Sequence, residues 1–255
     1  PLTAVWAHAG STSAMAGHSA WKNIKHRKAA VDAKRGKLWS KASRAIIMAA
    51  KSGGGDPRFN AGLRLAIDEA KAVNMPRDTI EKAVKKGTGE LDSESYEAVR
   101  YEGYATGGVA VIAECLVCNV NRTAPEIRTI FDKNGGNLGV PGSVSFSFAQ
   151  LGSIIVDGEK ATEERLMEVA LEAGAQDLRD LGGAWQVLTP PADLSRVKEA
   201  LEAASIELES AEVAWIPGMM VQVDPASGTA VQKLIDALEE HDDVQKVFTN
   251  AEFAE

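Results

Sequence analysis

Residues 152–215 read GSIIVDGEKATEERLMEVALEAGAQDLRDLGGAWQVLTPPADLSRVKEALEAASIELESAEVAW. Along this stretch the apolar pattern switches between short runs and helical spacing. Ser153 to Val156 is a strand run, and TEERLMEVALEAGAQDLRD (162–180) is a helix with its exit. AWQVLTP (184–190) is a strand, DLSRVKEALEAAS (193–205) a helix and ELESAEVAWIP (207–217) a strand. The order is strand–helix–strand–strand–helix–strand, which is ferredoxin-like.

The flanks are incomplete by themselves. Upstream, YEAVRYEGYATGGVAVIAECLVC (96–118) reads as two strands joined at Thr106-Gly107-Gly108. RTAPEIRTIFDKNGG (122–136) is a helix, with Asn121 or Thr123 as its cap, and Ser143 to Phe148 is a further strand. Downstream, MMVQVD (219–224), TAVQKLIDALEEHDD (229–243) and VQKVFTN (244–250) add strand, helix and strand. Joined, the flanks make one discontinuous α+β domain with the ferredoxin-like unit inserted in it.

Three helices precede both. KLWSKASRAIIMAAKSGGG (37–55) stops at Gly53 to Gly55. PRFNAGLRLAIDEAKAVN (57–74) is amphipathic through Leu63, Ile67 and Ala70. PRDTIEKAVKKG (76–87) carries Asp78 and Glu81 early and Lys85 and Lys86 late, as the helix dipole prefers. The expected fold is therefore α+β with three domains, a three-helix domain followed by two α/β-sandwich domains. Their expected bounds are 15–92 for the basic helical domain, 93–148 plus 217–253 for the discontinuous domain, and 149–216 for the ferredoxin-like insert.

Charge divides the chain along the same line. The whole carries a net charge of −8, yet Met15 to Gly89 holds 17 Lys or Arg and 6 Asp or Glu, a net +11. The remainder after Gly89 is −19, so the N-terminal third is basic and the rest acidic. Such asymmetry points to a polyanion at one end, which the other end repels. From Met15 to Lys51 there are ten basic residues and a single acid, Asp32. Lys28 and Arg35 interrupt the thin apolar stripe of Trp21, Ile24, Val31 and Leu38. Much of Gly17 to Lys37 is therefore expected to be mobile alone and ordered by its partner.

Lys22, Lys25, Arg27, Lys28, Lys34, Arg35 and Lys37 are the expected phosphate clamp, extended by Lys85 and Lys86 on the third helix. His26 and Trp21 are the candidates for base or sugar contact. Trp21 reads equally well as a core residue, and Trp39 reads better as core.

Other chemistries find little support. Two Cys, Cys115 and Cys118, make no disulfide framework and fit a reducing compartment. They spell C-x-x-C, but no second ligand pair accompanies them and Cys115 lies in a strand pattern, so no metal or redox site is expected. Gly53–Gly55 and the cluster Gly135-Gly136-Asn137-Leu138-Gly139 lack the G-K-[S/T] of a phosphate loop and read as turns. No nucleophile–base spacing marks a catalytic site, and no cofactor is implied. No apolar run approaches the roughly 18 residues of a membrane span. Pro1 to Ala14, which has no charged side chain, is expected to be a disordered upstream extension.

Several motifs in order resemble the YebC/PmpR family. They are MAGHSAWKNIKHRKAA from Met15, DAKRGK from Asp32, Gly53-Gly-Gly-Asp-Pro57, and NMPRDTI from Asn74. Tyr101-Glu-Gly-Tyr104, Asn121-Arg-Thr123, Gly135–Gly139, Ala211-Glu-Val213 with Ile216-Pro217, and DDVQKVFTN from Asp242 continue the series to about Phe253. Ala20 departs from it where Lys is common, and Cys118 stands where Cys is not expected. The resemblance implies a three-domain cytoplasmic protein that is no enzyme. It implies a DNA-binding transcriptional regulator, or else a ribosome-associated RNA-binding translation factor that aids proline-containing sequences, such as bacterial relatives resemble; a mitochondrial relative is a translational activator of cytochrome oxidase. The expected partner is nucleic acid, either DNA or ribosomal RNA and tRNA, engaged by a monomer.

Overall fold

Helix α1 (Arg35–Gly53) opens the described part of the chain. The computed structural model describes residues 35–92 and 94–253, with side chains from residue 36 onward. The expectations for Pro1–Ala14 and for the arm up to Lys34 lie outside the described residues. The first turn of α1 covers Arg35 to Lys37, so the helix starts inside the segment expected to lack fixed structure.

Helices α2 (Ala61–Ala72) and α3 (Arg77–Gly87) complete a small helical layer. Ile46, Ile47 and Ala50 of α1 meet Leu63, Ala66 and Ala70 of α2 and Ile80 and Ala83 of α3, with Met75 closing the seam. Fully burying one such aliphatic side chain is worth roughly 1.5–3 kcal/mol. Trp39 packs on this core and donates Nε1 to the Val73 carbonyl at 3.0 Å, which fulfils the core reading. The approach of α3 to α1 is close: a Cβ on Gly87 would lie 2.5 Å from the Ile47 carbonyl oxygen. Asn60 organises the α1–α2 loop. Its carboxamide accepts from the Leu63 amide and donates to the Ala49 and Gly54 carbonyls.

Strands β1 (Glu97–Tyr104) and β2 (Ala110–Val117) pair antiparallel from Glu97↔Val117 to Tyr104↔Ala110. The turn between them, Thr106–Gly108, places Gly107 and Gly108 at φ +77° and +75°, a region that favours glycine. Strand β3 (Asn137–Leu138) and strand β9 (Val244–Thr249) flank them in the order β3-β1-β2-β9. β2 is buried on both faces over Ala110 to Ala113, hence that apolar run, with Glu114 half-buried beyond it. One side packs on helices α4 (Val120–Lys133) and α7 (Pro225–Glu239) through Ile127, Phe131, Leu234 and Leu238. The other holds Ala110, Ile112, Val144 and Phe148, with Trp215 and Phe248 beside them.

The quoted stretch forms strand β4 (Phe148–Asp157), helix α5 (Glu163–Glu172), strands β5 (Asp177–Asp180) and β6 (Ala184–Thr189), helix α6 (Leu194–Ala203) and strand β7 (Ser210–Pro217). Its sheet runs β5-β6-β4-β7, the strand arrangement of a ferredoxin-like unit. Leu166, Leu194, Val197 and Leu201 of the helices are buried with Ile154, Val156 and Val187 of the sheet. Strands β8 (Val221–Val223) and β10 (Ala251–Phe253) complete the elements. The described chain makes two compact units, 35–150 with 214–251, and 151–213 with 252–253. The chain passes between them within β4 and within β7. The molecule is thus α+β, a helical N-terminal region followed by α/β domains.

Three local expectations need correction. Ser145–Ser147 is a 3₁₀ turn rather than a strand, and Phe148–Asp157 is one continuous strand. The reason is Glu102, buried in β1, whose carboxylate accepts the Val144 and Ser145 amides and bends the chain there. Helix α4 begins earlier than expected and is capped by Asn119, which accepts from Arg122. Thr123 is inside the helix, and its hydroxyl donates to the buried Asp243 carboxylate at 2.6 Å. The 135–139 glycines do more than turn: Gly136 is where backbone meets Phe131 and the Tyr104 carbonyl, with no room for a side chain.

Candidate nucleic-acid interface

The basic surface starts from α1. Lys37, Lys41 and Arg44 recur at helical spacing and share one face. The Lys37 ammonium donates to the Glu240 carbonyl and lies 3.4 Å from Asp242. Lys41 donates to the Glu239 carbonyl at 2.7 Å. Arg44 donates to the Asp242 carbonyl and, at 3.1 Å, to the Asp243 carboxylate, and its guanidinium lies over the Tyr96 ring. The Glu239 and Glu240 carbonyls stand at the C-terminus of α7, where the helix dipole is negative. Burial lowers the Lys41 pKa, an effect that Lys37 reinforces and Glu239 and Asp242 oppose.

Asp243 is the centre of this contact. It is buried and takes Arg44, Arg122 and Thr123 together. Burial alone would raise its pKa, but these donors hold it below the usual carboxylate range. Further along, Lys246 of β9 reaches Glu69 of α2 at 2.8 Å. Part of the positive charge counted in the sequence is thereby answered by acids roughly two hundred residues away.

The expected site residues separate into groups. Trp21, Lys22, Lys25, His26, Arg27, Lys28 and Lys34 lie outside the described residues. Arg35 opens α1. Lys37 sits on the α7 terminus, as above. Lys85 and Lys86 stand exposed on the last turn of α3. Gly87 packs on Ile47 and Ala50, so these lysines adjoin the far end of α1. At 1.5 Å rise per residue, about 20 Å of helix separates that end from Lys37. Lys37 and the Lys85–Lys86 pair are therefore not brought together.

What joins Lys85 and Lys86 was passed over in the sequence. A Cβ on Gly55 would touch Val84 and Thr88, so the α1–α2 loop lies against the C-terminal turn of α3. That loop presents Arg58 and Phe59, with Phe59 85% exposed. Lys51, on the last turn of α1, is exposed nearby and donates to Ser95 at 3.2 Å. The sequence signal is D-P-R-F-N (56–60), directly after glycines that read as a helix stop and turn.

The thiols behave as expected of a strand. Cys115 is buried, and burial pushes its pKa up to about 12, whereas Cys118 is exposed. Among the described residues no cluster of three or more His, Cys, Asp or Glu is arranged to hold a metal. Among the same residues no helix is long and apolar enough to cross a membrane.

Comparison with known proteins bears on most of the chain. Residues 19–90 match the model of the TACO1/YebC protein N-terminal domain, and residues 96–251 that of the TACO1/YebC second and third domain. A "probable transcriptional regulatory protein" of Persephonella marina is 52% identical over 243 residues, covering 94% of this chain and 97% of the relative. One of the same name from Syntrophotalea carbinolica is 52% identical over 241 residues, with the same coverage of both. A crystal structure of a conserved hypothetical protein from Aquifex aeolicus superposes with a TM-score of 0.80 at 48% identity, covering 88% of this chain and 93% of that one.

Proposed function

The chain belongs to the TACO1/YebC family, and from that premise we propose that it regulates gene expression by binding nucleic acid, as a monomer in the cytoplasm. The observation that carries this is the charge division, +11 between Met15 and Gly89 against −19 beyond. The clamp we propose comprises Lys22, Lys25, Arg27, Lys28, Lys34 and Arg35, with Trp21 and His26 on bases or sugars. Lys85 and Lys86 extend it. Lys37 is left out, being engaged at the α7 terminus. The relatives are named regulatory proteins, so no catalytic step is proposed.

The relatives' name favours duplex DNA and transcription. A second reading, a ribosome-associated RNA-binding translation factor, is favoured by α3. If α2 and α3 entered DNA as a helix-turn-helix, the start of α3 would face the base edges. That start carries Asp78 and Glu81, both exposed, and Arg77 is paired to Glu81 at 2.8 Å. Acids there repel phosphates and lack the bidentate Arg, Asn or Gln of a base reader.

Salt dependence tests the shared core of both readings. With about six phosphate contacts, log affinity against log salt should fall with a slope near −4 to −5. A flat response, measured by anisotropy with labelled duplex and single-stranded oligonucleotides, would remove the clamp.

A further inference from the structure

The loop between α1 and α2 is held unusually firmly for a surface turn. Gly54 donates to the Ala50 carbonyl, and Phe59 to the Asp56 carbonyl at 3.1 Å. Asp56 accepts the Arg58 amide and, with both oxygens, the Arg58 guanidinium. Asn60 fixes the end of the loop with three hydrogen bonds. Yet the adjacent ring of Phe59 is 85% exposed. Arg58 lies over it, with its guanidinium carbon 5.7 Å from the ring centroid. A single exposed phenylalanine is unremarkable by itself. A pinned one backed by a cation on a basic rim is a different matter.

The rim consists of Lys51, Lys85 and Lys86, gathered by the packing of Gly55 and Gly87 against neighbouring helices. Asp56 in the loop is engaged by Arg58, and Glu90 accepts the Thr88 hydroxyl at 2.9 Å. We infer that Phe59, backed by Arg58, is a stacking platform for an unpaired base of single-stranded nucleic acid, whose flanking phosphates meet Lys51, Lys85 and Lys86. This rests on the nucleic-acid reading above and adds the strand state of the ligand. A flat base covers the open side of the ring, and the guanidinium strengthens the stack from behind. Bases inside a duplex are already stacked on one another, so a duplex can offer only its phosphates.

The test uses the full chain and a fluorescein-labelled 20-nucleotide single-stranded RNA without self-pairing, beside the same sequence as a duplex. Phe59→Ala should weaken single-strand binding about tenfold and leave duplex affinity and the salt slope unchanged. Phe59→Trp should restore it, whereas Phe59→Leu should not. Lys85→Ala with Lys86→Ala should weaken both ligands and flatten the slope by about 1.5. The exposed position predicts unchanged thermal unfolding for all Phe59 variants. Single-strand affinity that is equal in wild type and Phe59→Ala overturns the platform, as does full activity of Phe59→Leu. If the same preparation still binds through its arm, the broader reading survives that result. If the wild-type chain binds neither oligonucleotide, both fall.

Discussion

Glu102 shows how one side chain settles a local structure that pattern could not. The carboxylate is buried, and burial by itself would raise its pKa. Amide donation from Val144 and Ser145 and the Arg100 guanidinium at 2.9 Å outweigh that and hold it at about 2. A folded pKa below the unfolded value means stability that is present at neutral pH and lost as pH falls from about 4.5 toward 2. The difference corresponds to about 3 kcal/mol. Urea denaturation of Glu102→Gln should show a lower midpoint than wild type at pH 7, with the gap closing near pH 2. A gap that persists unchanged at pH 2 would assign the loss to shape instead of charge.

At the scale of elements, the helices are the part written most plainly in local sequence. The apolar spacing of Ile46, Ile47 and Ala50 and the dipole-matched ends of α3 were enough to place them. The α1–α3 contact supplies a prediction of its own. Gly87→Ala puts a methyl group 2.5 Å from the Ile47 carbonyl oxygen and 2.6 Å from the Ala50 side chain. It should cost about 1–3 kcal/mol despite the better helix propensity of alanine, read as a fall in the thermal midpoint. Strand boundaries were less legible. The run SVSFSF alternates as a strand would, but a distant carboxylate takes its amides and curls the first half. The cap of α4 was misplaced by two to four residues because Asn119, Asn121 and Thr123 are chemically interchangeable until the tertiary partner of Thr123, Asp243, is known.

For the whole molecule, charge counting found the polarity and missed its internal settlement. Lys37, Lys41 and Arg44 belong to the basic third by sequence, yet they close on the α7 terminus and Asp243. No local pattern could reveal that, since the partners are about two hundred residues apart. The same folding leaves Lys51, Arg58, Lys85 and Lys86 on an outer edge, where the glycines and not the lysines decide who meets whom. The central claim is that the N-terminal basic segment binds nucleic acid. The most direct measurement compares the native chain with one in which Lys25, Arg27, Lys28, Lys34 and Arg35 are all alanine. Each is tested at matched salt for co-sedimentation with purified ribosomes and for binding to random duplex DNA. The native chain should bind at least one of the two, and the variant should bind about a hundredfold more weakly. Binding by the variant equal to that of the native chain, or none by either, would contradict the claim.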